Sequence, residues 1–165
     1  MKLCFSTLGC TEREFDEILE LAKRYGIDAL EIRGVSGEMD NDKISAFSVE
    51  KREETLAKFK SGGIAPRILG TSCSFHDERK YNAAIAEGYS AIDIAQRLGF
   101  LGIRVFGNNV VGDEAECVQR VSEGVRTLCE YARDKGVYVL LETHGDFNTR
   151  GRLGAVRDQI GRAHV

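Results

Sequence analysis

Glu142 ends the apolar run Val137-Tyr138-Val139-Leu140-Leu141 and is followed at once by Thr143-His144-Gly145-Asp146. A carboxylate at the C-terminal end of a buried parallel strand stands where a (β/α) barrel keeps its chemistry. Unpaired burial would cost several kcal/mol, so the group must be solvated, salt-bridged or bound to a metal. His144 lies two residues on, on the same face if the strand continues, and either touches substrate or sits as a solvated loop histidine. Asp146 and Asn148 read by default as ordinary loop residues.

Three further side chains carry comparable chemistry. Glu31 closes Ala29-Leu30-Glu31 and could bind substrate hydroxyls, or pair with Arg33 or Arg104 as a structural ion pair. Arg104 falls inside Ile103-Arg104-Val105-Phe106, where an arginine is costly unless paired, so a carboxylate partner is the first expectation. A phosphate contact is the second. His76, in Cys73-Ser74-Phe75-His76-Asp77, follows the third apolar run at the same end as Glu142. It either binds substrate or merely opens a helix beside an Asp77 N-cap.

The elements that must position these groups recur in a simple order: amphipathic helix, glycine, short β-rich run. Gly26, Gly63, Gly99 and Gly136 each precede such a run, and glycine suits the left-handed residue that ends a helix. The residues after them recur at intervals close to one βα unit. With the opening segment Lys2–Ser6, five strands are expected. Thr11 and Glu14 read as a capping box for a first helix with Phe15, Ile18, Leu19 and Ala22 on one face. Ser48 is the expected cap of a second helix with Val49, Leu56 and Phe59 inward. A third runs from about Asp77 to Leu98, and Asp113 with Glu116 starts a fourth. A fifth begins near Thr149. Strands apolar throughout, alternating with helices, mean a parallel sheet covered by helices, in the α/β class. The longer segments after strand ends, 34–47 and 71–77, lie where a catalytic face is expected. No Gly-x-Gly-x-x-Gly follows a strand and no Walker A motif exists, so a barrel is favoured over an open nucleotide-binding sheet.

Composition narrows the partners. Of 165 residues, 42% are hydrophobic and 30% charged, as in soluble globular proteins. A net charge of -3 gives nucleic acid or an anionic membrane no electrostatic footing. No apolar run approaches a membrane span and no basic n-region precedes an apolar h-region, so the expected location is cytoplasmic. Five cysteines, odd in number and without a CxxC pair, are expected to be buried free thiols rather than a zinc cluster or disulfide framework.

Leu3-Cys4-Phe5-Ser6-Thr7-Leu8-Gly9, Leu30-Glu31-Ile32-Arg33-Gly34, Ile103-Arg104-Val105-Phe106-Gly107 and Leu140-Leu141-Glu142-Thr143-His144 occur here in order and at the right spacing. Together they resemble the xylose isomerase-like TIM-barrel superfamily, nearest its sugar phosphate isomerases and epimerases, with endonuclease IV a distant relative. The resemblance implies a (β/α)8 barrel, incomplete here at about five βα units. It implies a divalent metal bound by a fifth-strand Glu, matched by Glu142, plus Asp, His and Glu from later strands; such mixed carboxylate and imidazole ligands suit Mn, Mg, Co or Zn. It also implies isomerisation or epimerisation of a small sugar or sugar phosphate through an enediolate. An inosose dehydratase-like lyase is the neighbouring alternative, and a non-catalytic half-barrel binding or assembly module the third. Endonuclease IV has zinc-binding histidines near His76 and after strand four. Phe106-Gly107-Asn108-Asn109 lacks the second, against a nuclease. Residues 1–158 are expected to be the N-terminal part of one barrel domain and 159–165 a non-native tail. Ile160-Gly161-Arg162-Ala163-His164-Val165 resembles the translation of a sequencing-library adapter, so His164 is not offered as a ligand. A chain so composed is expected to be inactive, to bind metal weakly and to self-associate through exposed strand edges.

Overall fold

All four recurring glycines adopt the left-handed conformation, with φ of 65° at Gly26, 66° at Gly63, 74° at Gly99 and 67° at Gly136. A Cβ at any of them would meet nothing within 4 Å, so backbone conformation alone calls for glycine there. In the computed structural model, which describes residues 1–161, each glycine turns the chain from a helix into the next strand. The elements run β1 (Cys4–Ser6), α1 (Phe15–Arg24), β2 (Ala29–Ile32), α2 (Arg52–Gly62), β3 (Ala65–Ser74) and α3 (Tyr81–Leu98). They continue with β4 (Gly102–Phe106), α4 (Glu114–Ala132), β5 (Tyr138–Glu142) and α5 (Arg150–Ile160). His164, set aside above, lies outside the described residues.

The five strands form one parallel sheet in the order β1-β2-β3-β4-β5. A doubly wound sheet reverses its strand order partway, whereas a barrel wall adds each strand beside the last. The sheet is a barrel wall of five βα units. Its outer face, including Leu30, Ile32, Leu69, Ile103 and Val105, is fully buried beneath the helices. The inner face is open: Tyr138 is 56% and Leu140 40% exposed. The strands are thus covered on one side, and the uniformly apolar runs conceal an alternation of buried and open positions. No described helix is long and apolar enough to cross a membrane.

Several local expectations shift. The α1 capping box belongs to Glu14 and Glu17, with Glu14 N–H donating to Glu17 Oε2 at 3.1 Å. Thr11 instead anchors the loop after β2, its carbonyl accepting from Gly37 N–H at 2.9 Å. α2 starts at Arg52, after Ser48 has closed a short 3-10 turn, and Val49 is exposed. Phe47 fills the core in its place, edge-on to Phe15 and Phe100. β3 runs on through Ser74, so 71–74 are strand rather than loop. Asp113 caps α4 as expected, Asp77 caps a 3-10 turn (Glu78–Lys80) just ahead of α3, and α5 begins at the expected place with Thr149 as its cap. Cys73 and Cys117 are buried free thiols, Cys10 and Cys129 half-buried, but Cys4 is exposed on β1, an edge of the sheet. Burial pushes the Cys73 thiol up to about 12, which makes it inert.

Candidate active site at the C-terminal ends of the strands

In a parallel ladder, paired residues project to the same face. Glu31 pairs in register with Ser6 and Ile68, Gly70 with Arg104, Arg104 with Leu140, and Phe106 with Glu142. Alternation then stacks Arg104 and Phe106 on β4 and Leu140 and Glu142 on β5, all on the open inner face. Three charged side chains from three strands converge there.

Arg104 is their centre. Its Nε donates to Glu31 Oε1 at 2.5 Å and its Nη1 to Glu142 Oε2. The arginine side chain is 15% exposed, Glu31 22% and Glu142 35%. One guanidinium therefore ties the mouth of β2 to that of β5 across β4, and charge-assisted bonds of this kind are strong. The Phe106 ring lies 4.9 Å from the guanidinium carbon and holds its plane. His144, exposed in the loop after β5, meets the same ring edge-on at 5.2 Å between centroids. Four of the five residues singled out in the sequence thus form one group: Glu31, Arg104, Glu142 and, through Phe106, His144.

His76 stands apart. Its carbonyl accepts from Arg120 Nη1 at 2.9 Å, which fastens the β3–α3 connection to α4. Its Nδ1 is buried without a partner among the described residues, and burial pulls the imidazole below its ordinary value. It lies beside Asp77, whose carboxylate caps the following turn.

A second layer was only half visible in the sequence. Arg33 follows Ile32 and so returns to the inner face one step above Glu31. Its Nη2 donates to Ser72 Oγ at 2.7 Å and its Nη1 to the Met39 carbonyl at 3.0 Å. Ser72 N–H in turn donates to Glu87 on α3 at 2.6 Å, and burial raises the Glu87 carboxyl above its usual range. Asn41 pins the long β2–α2 loop over the sheet, donating to the Gly70 carbonyl at 2.9 Å. The i, i+2 spacing of Glu31 and Arg33 was the available signal for this layer.

As a metal ligand Glu142 fits singly. Oε2 is taken by Arg104, while Oε1 has no hydrogen-bond partner among the described residues. No three His, Cys, Asp or Glu side chains among the described residues come together as a metal cage. The group can supply one oxygen donor.

Comparison with known proteins bears on the whole chain. No curated protein matches it in sequence. Among solved structures, a probable 3-DHS dehydratase, AsbF, involved in petrobactin synthesis in Bacillus anthracis, superposes with a TM-score of 0.79 at 18% identity over 97% of this chain and 59% of that one. IolI, solved with a bound zinc atom, gives 0.76 at 22% identity over 98% and 60%. The 3-keto-D-glucoside 4-epimerase YcjR from E. coli gives 0.68 at 18% over 86% and 55%. The chain spans about three fifths of the length of these structures. The family model described as xylose isomerase-like TIM barrel matches residues 19–165. The chain belongs to the xylose isomerase-like TIM barrel family.

Proposed function

We propose that residues 1–158 are the N-terminal part of a metal-dependent sugar or sugar-phosphate isomerase or epimerase, and that Glu142 is both a metal ligand and an acid–base group. The convergence of Glu31, Arg104 and Glu142 on the inner face at the strand ends carries this reading. Barrel enzymes keep their reactive groups at that end. A probable dehydratase, a zinc-bound protein and a sugar epimerase among the similar structures support it. The first of these also favours the lyase alternative, since dehydration beside a ketone uses the same enolate chemistry. The free edges of β1 and β5 favour the other alternative, a half-barrel that associates with a partner or with itself.

When bound, a divalent cation (Mn, Mg, Co or Zn) would supply Lewis acidity toward a hydroxy-ketone; Glu142 Oε1 would contribute to holding it. The chain's own residues do the rest. Glu142 Oε1 keeps a second lone pair beside the one that would face the cation, and there it accepts and returns a proton between adjacent carbons, the step that defines an enediolate route. Arg104 fixes Glu142 Oε2 so that Oε1 faces the substrate, and Glu31 orients Arg104. Phe106 walls the site against water. His144 and His76 offer hydroxyl contacts from two sides of the mouth. The substrate is a small sugar or sugar phosphate, the setting cytoplasmic, and residues 159–165 take no part.

The test is hydrogen exchange at the carbon beside a ketose carbonyl, followed by NMR in D2O. The chain is extended to the full barrel from its source DNA and supplied with each of the four ions. Exchange should depend on metal and fall about 10²–10⁴-fold in Glu142→Gln. Exchange that persists unchanged in that variant would sink the proposal.

A further inference from the structure

β4 and β5 end at the register pair Phe106 and Glu142, yet the chains stay joined beyond it. Asp146 N–H donates to the Asn108 carbonyl at 3.1 Å. The Asp146 carboxylate reaches the same loop, Oδ2 accepting from Val110 N–H at 2.9 Å. Its carbonyl accepts from Arg152 Nη1 at 3.0 Å, and that guanidinium donates through Nε to Glu114 Oε1 at 2.7 Å. One residue thus joins the loops after β4 and β5 to each other and to the first turns of α4 and α5. The seam is tight. Gly145 has a φ of 57°, and a Cβ there would lie 2.7 Å from Asn109 Oδ1 and 2.8 Å from the Asn108 carbonyl oxygen. Asn108 is itself left-handed, with φ of 62°, a conformation that persists in a non-glycine residue where its surroundings hold it. Beneath the seam the fully buried Phe147 ring packs on Gly107. Thr143 and His144 lie between the strand ladder and this seam. The His144 carbonyl accepts from Phe147 N–H at 3.1 Å, so the main chain is held on both sides of an exposed imidazole. That imidazole meets Phe106, whose ring also contacts the Arg104 guanidinium.

We propose that Asp146 is a positioning residue: by seaming the loops after β4 and β5 it fixes His144 against Phe106, and so sets where the imidazole meets a substrate hydroxyl. The positioning itself is independent of the isomerase reading; only its consequence for turnover rests on that reading. A carboxylate accepting from a backbone N–H makes a stronger tie than a neutral acceptor would. A contact group held in one place before substrate arrives acts through orientation, and a small misplacement of it is felt in rate.

The experiment has an arm that needs no activity and an arm that does. In the 165-residue chain, amide hydrogen exchange is resolved to single residues by mass spectrometry, in any assembly state. Val110 should exchange roughly five- to tenfold faster in Asp146→Ala, an exposed change that leaves the core untouched. Tyr138, whose N–H donates to the Leu101 carbonyl at the far end of β5, should be unchanged. The 13C-labelled His144 ring resonance, read in solution or by magic-angle spinning and assigned with His144→Gln, should move to the free-histidine position in Asp146→Ala. Asp146→Asn keeps a side-chain oxygen acceptor and should stay within about twofold of wild type in exchange, with the His144 resonance in place. In the barrel extended from source DNA, Asp146→Ala should lower kcat/KM about tenfold and Asp146→Asn should restore it. In a His144→Gln background the alanine substitution should cost less than about twofold, because the group it positions is already gone. Unchanged Val110 exchange, an unmoved His144 resonance, or a tenfold loss that persists in the His144→Gln background would each overturn the proposal. A wild-type barrel without turnover would sink the isomerase reading alone, and the exchange and resonance results would then decide the positioning.

Discussion

Arg104→Met removes the cation that joins β2 to β5 while keeping an aliphatic stem of similar length. Glu31 and Glu142 are then left facing one another without a counter-ion. Breaking a fully buried ion pair from one side costs about 3–5 kcal/mol. With side-chain exposures of 15%, 22% and 35%, solvent screens part of that interaction. A discounted cost of about 2–3 kcal/mol is appropriate. Loss of the guanidinium–Phe106 contact adds about 0.5 kcal/mol. The sum of about 3 kcal/mol corresponds to a fall in Tm of roughly 6–12 °C for a domain of this size. Urea unfolding followed by circular dichroism at pH 7 and one fixed chain concentration measures it. The triple variant Glu31→Gln/Arg104→Met/Glu142→Gln removes both charges and should return to within about 1 kcal/mol of wild type, because neutral isosteres need no counter-ion. A single variant within about 0.5 kcal/mol of wild type would refute the reasoning. It would mean that both carboxylates are solvated independently of Arg104.

Other perturbations follow from the same geometry. Gly99→Ala should cost about 1–2 kcal/mol in urea unfolding, all of it conformational, because φ is 74° and the Cβ meets nothing. Gly107→Ala should cost about 1–3 kcal/mol for a different reason: its Cβ would overlap the ring of fully buried Phe147. Hydrogen bonds from Arg79 hold the Asp77 carboxyl at about 2, below its ordinary 3.8. A depressed acid stabilises above the unfolded value and loses that as pH falls through the folded one. Asp77→Asn should therefore be less stable than wild type at pH 7 and converge with it between about pH 4 and pH 2, read from thermal melts. Glu87 has the opposite sign, since burial raises it. Its stabilising contribution is full below the ordinary glutamate range and is lost as pH rises through the raised value. Glu87→Gln should melt higher than wild type at pH 7 and level with it in acid.

The frame of the molecule was legible because it rests on local chemistry. Glycines at helix ends, Asp113 as a cap, a helix start near Thr149, and apolar runs of strand length are each written in a few adjacent residues. Strand order needed the structure, since periodicity does not distinguish a barrel wall from a doubly wound sheet. Arg104 was expected to seek a carboxylate, but that it takes two at once depends on β4 lying between β2 and β5. The α2 start falls later than its cap signal suggests because a 3-10 turn puts Phe47, rather than Val49, into the core. In sequence, Arg33 offers itself only as a partner for Glu31. Its true setting depends on Gly70, a residue that matters by the side chain it lacks. Cys4 was misplaced for a related reason: an apolar run says little about a strand at the edge of an open face.

Sequencing the source DNA past codon 158 tests the central claim most directly. The account predicts an open frame adding roughly 100 residues, the balance of a barrel of ordinary length. Asp, His and Glu should stand at three further strand ends to join Glu142. A stop codon directly after Val165 would contradict it, and the half-barrel module would then replace the isomerase as the better reading.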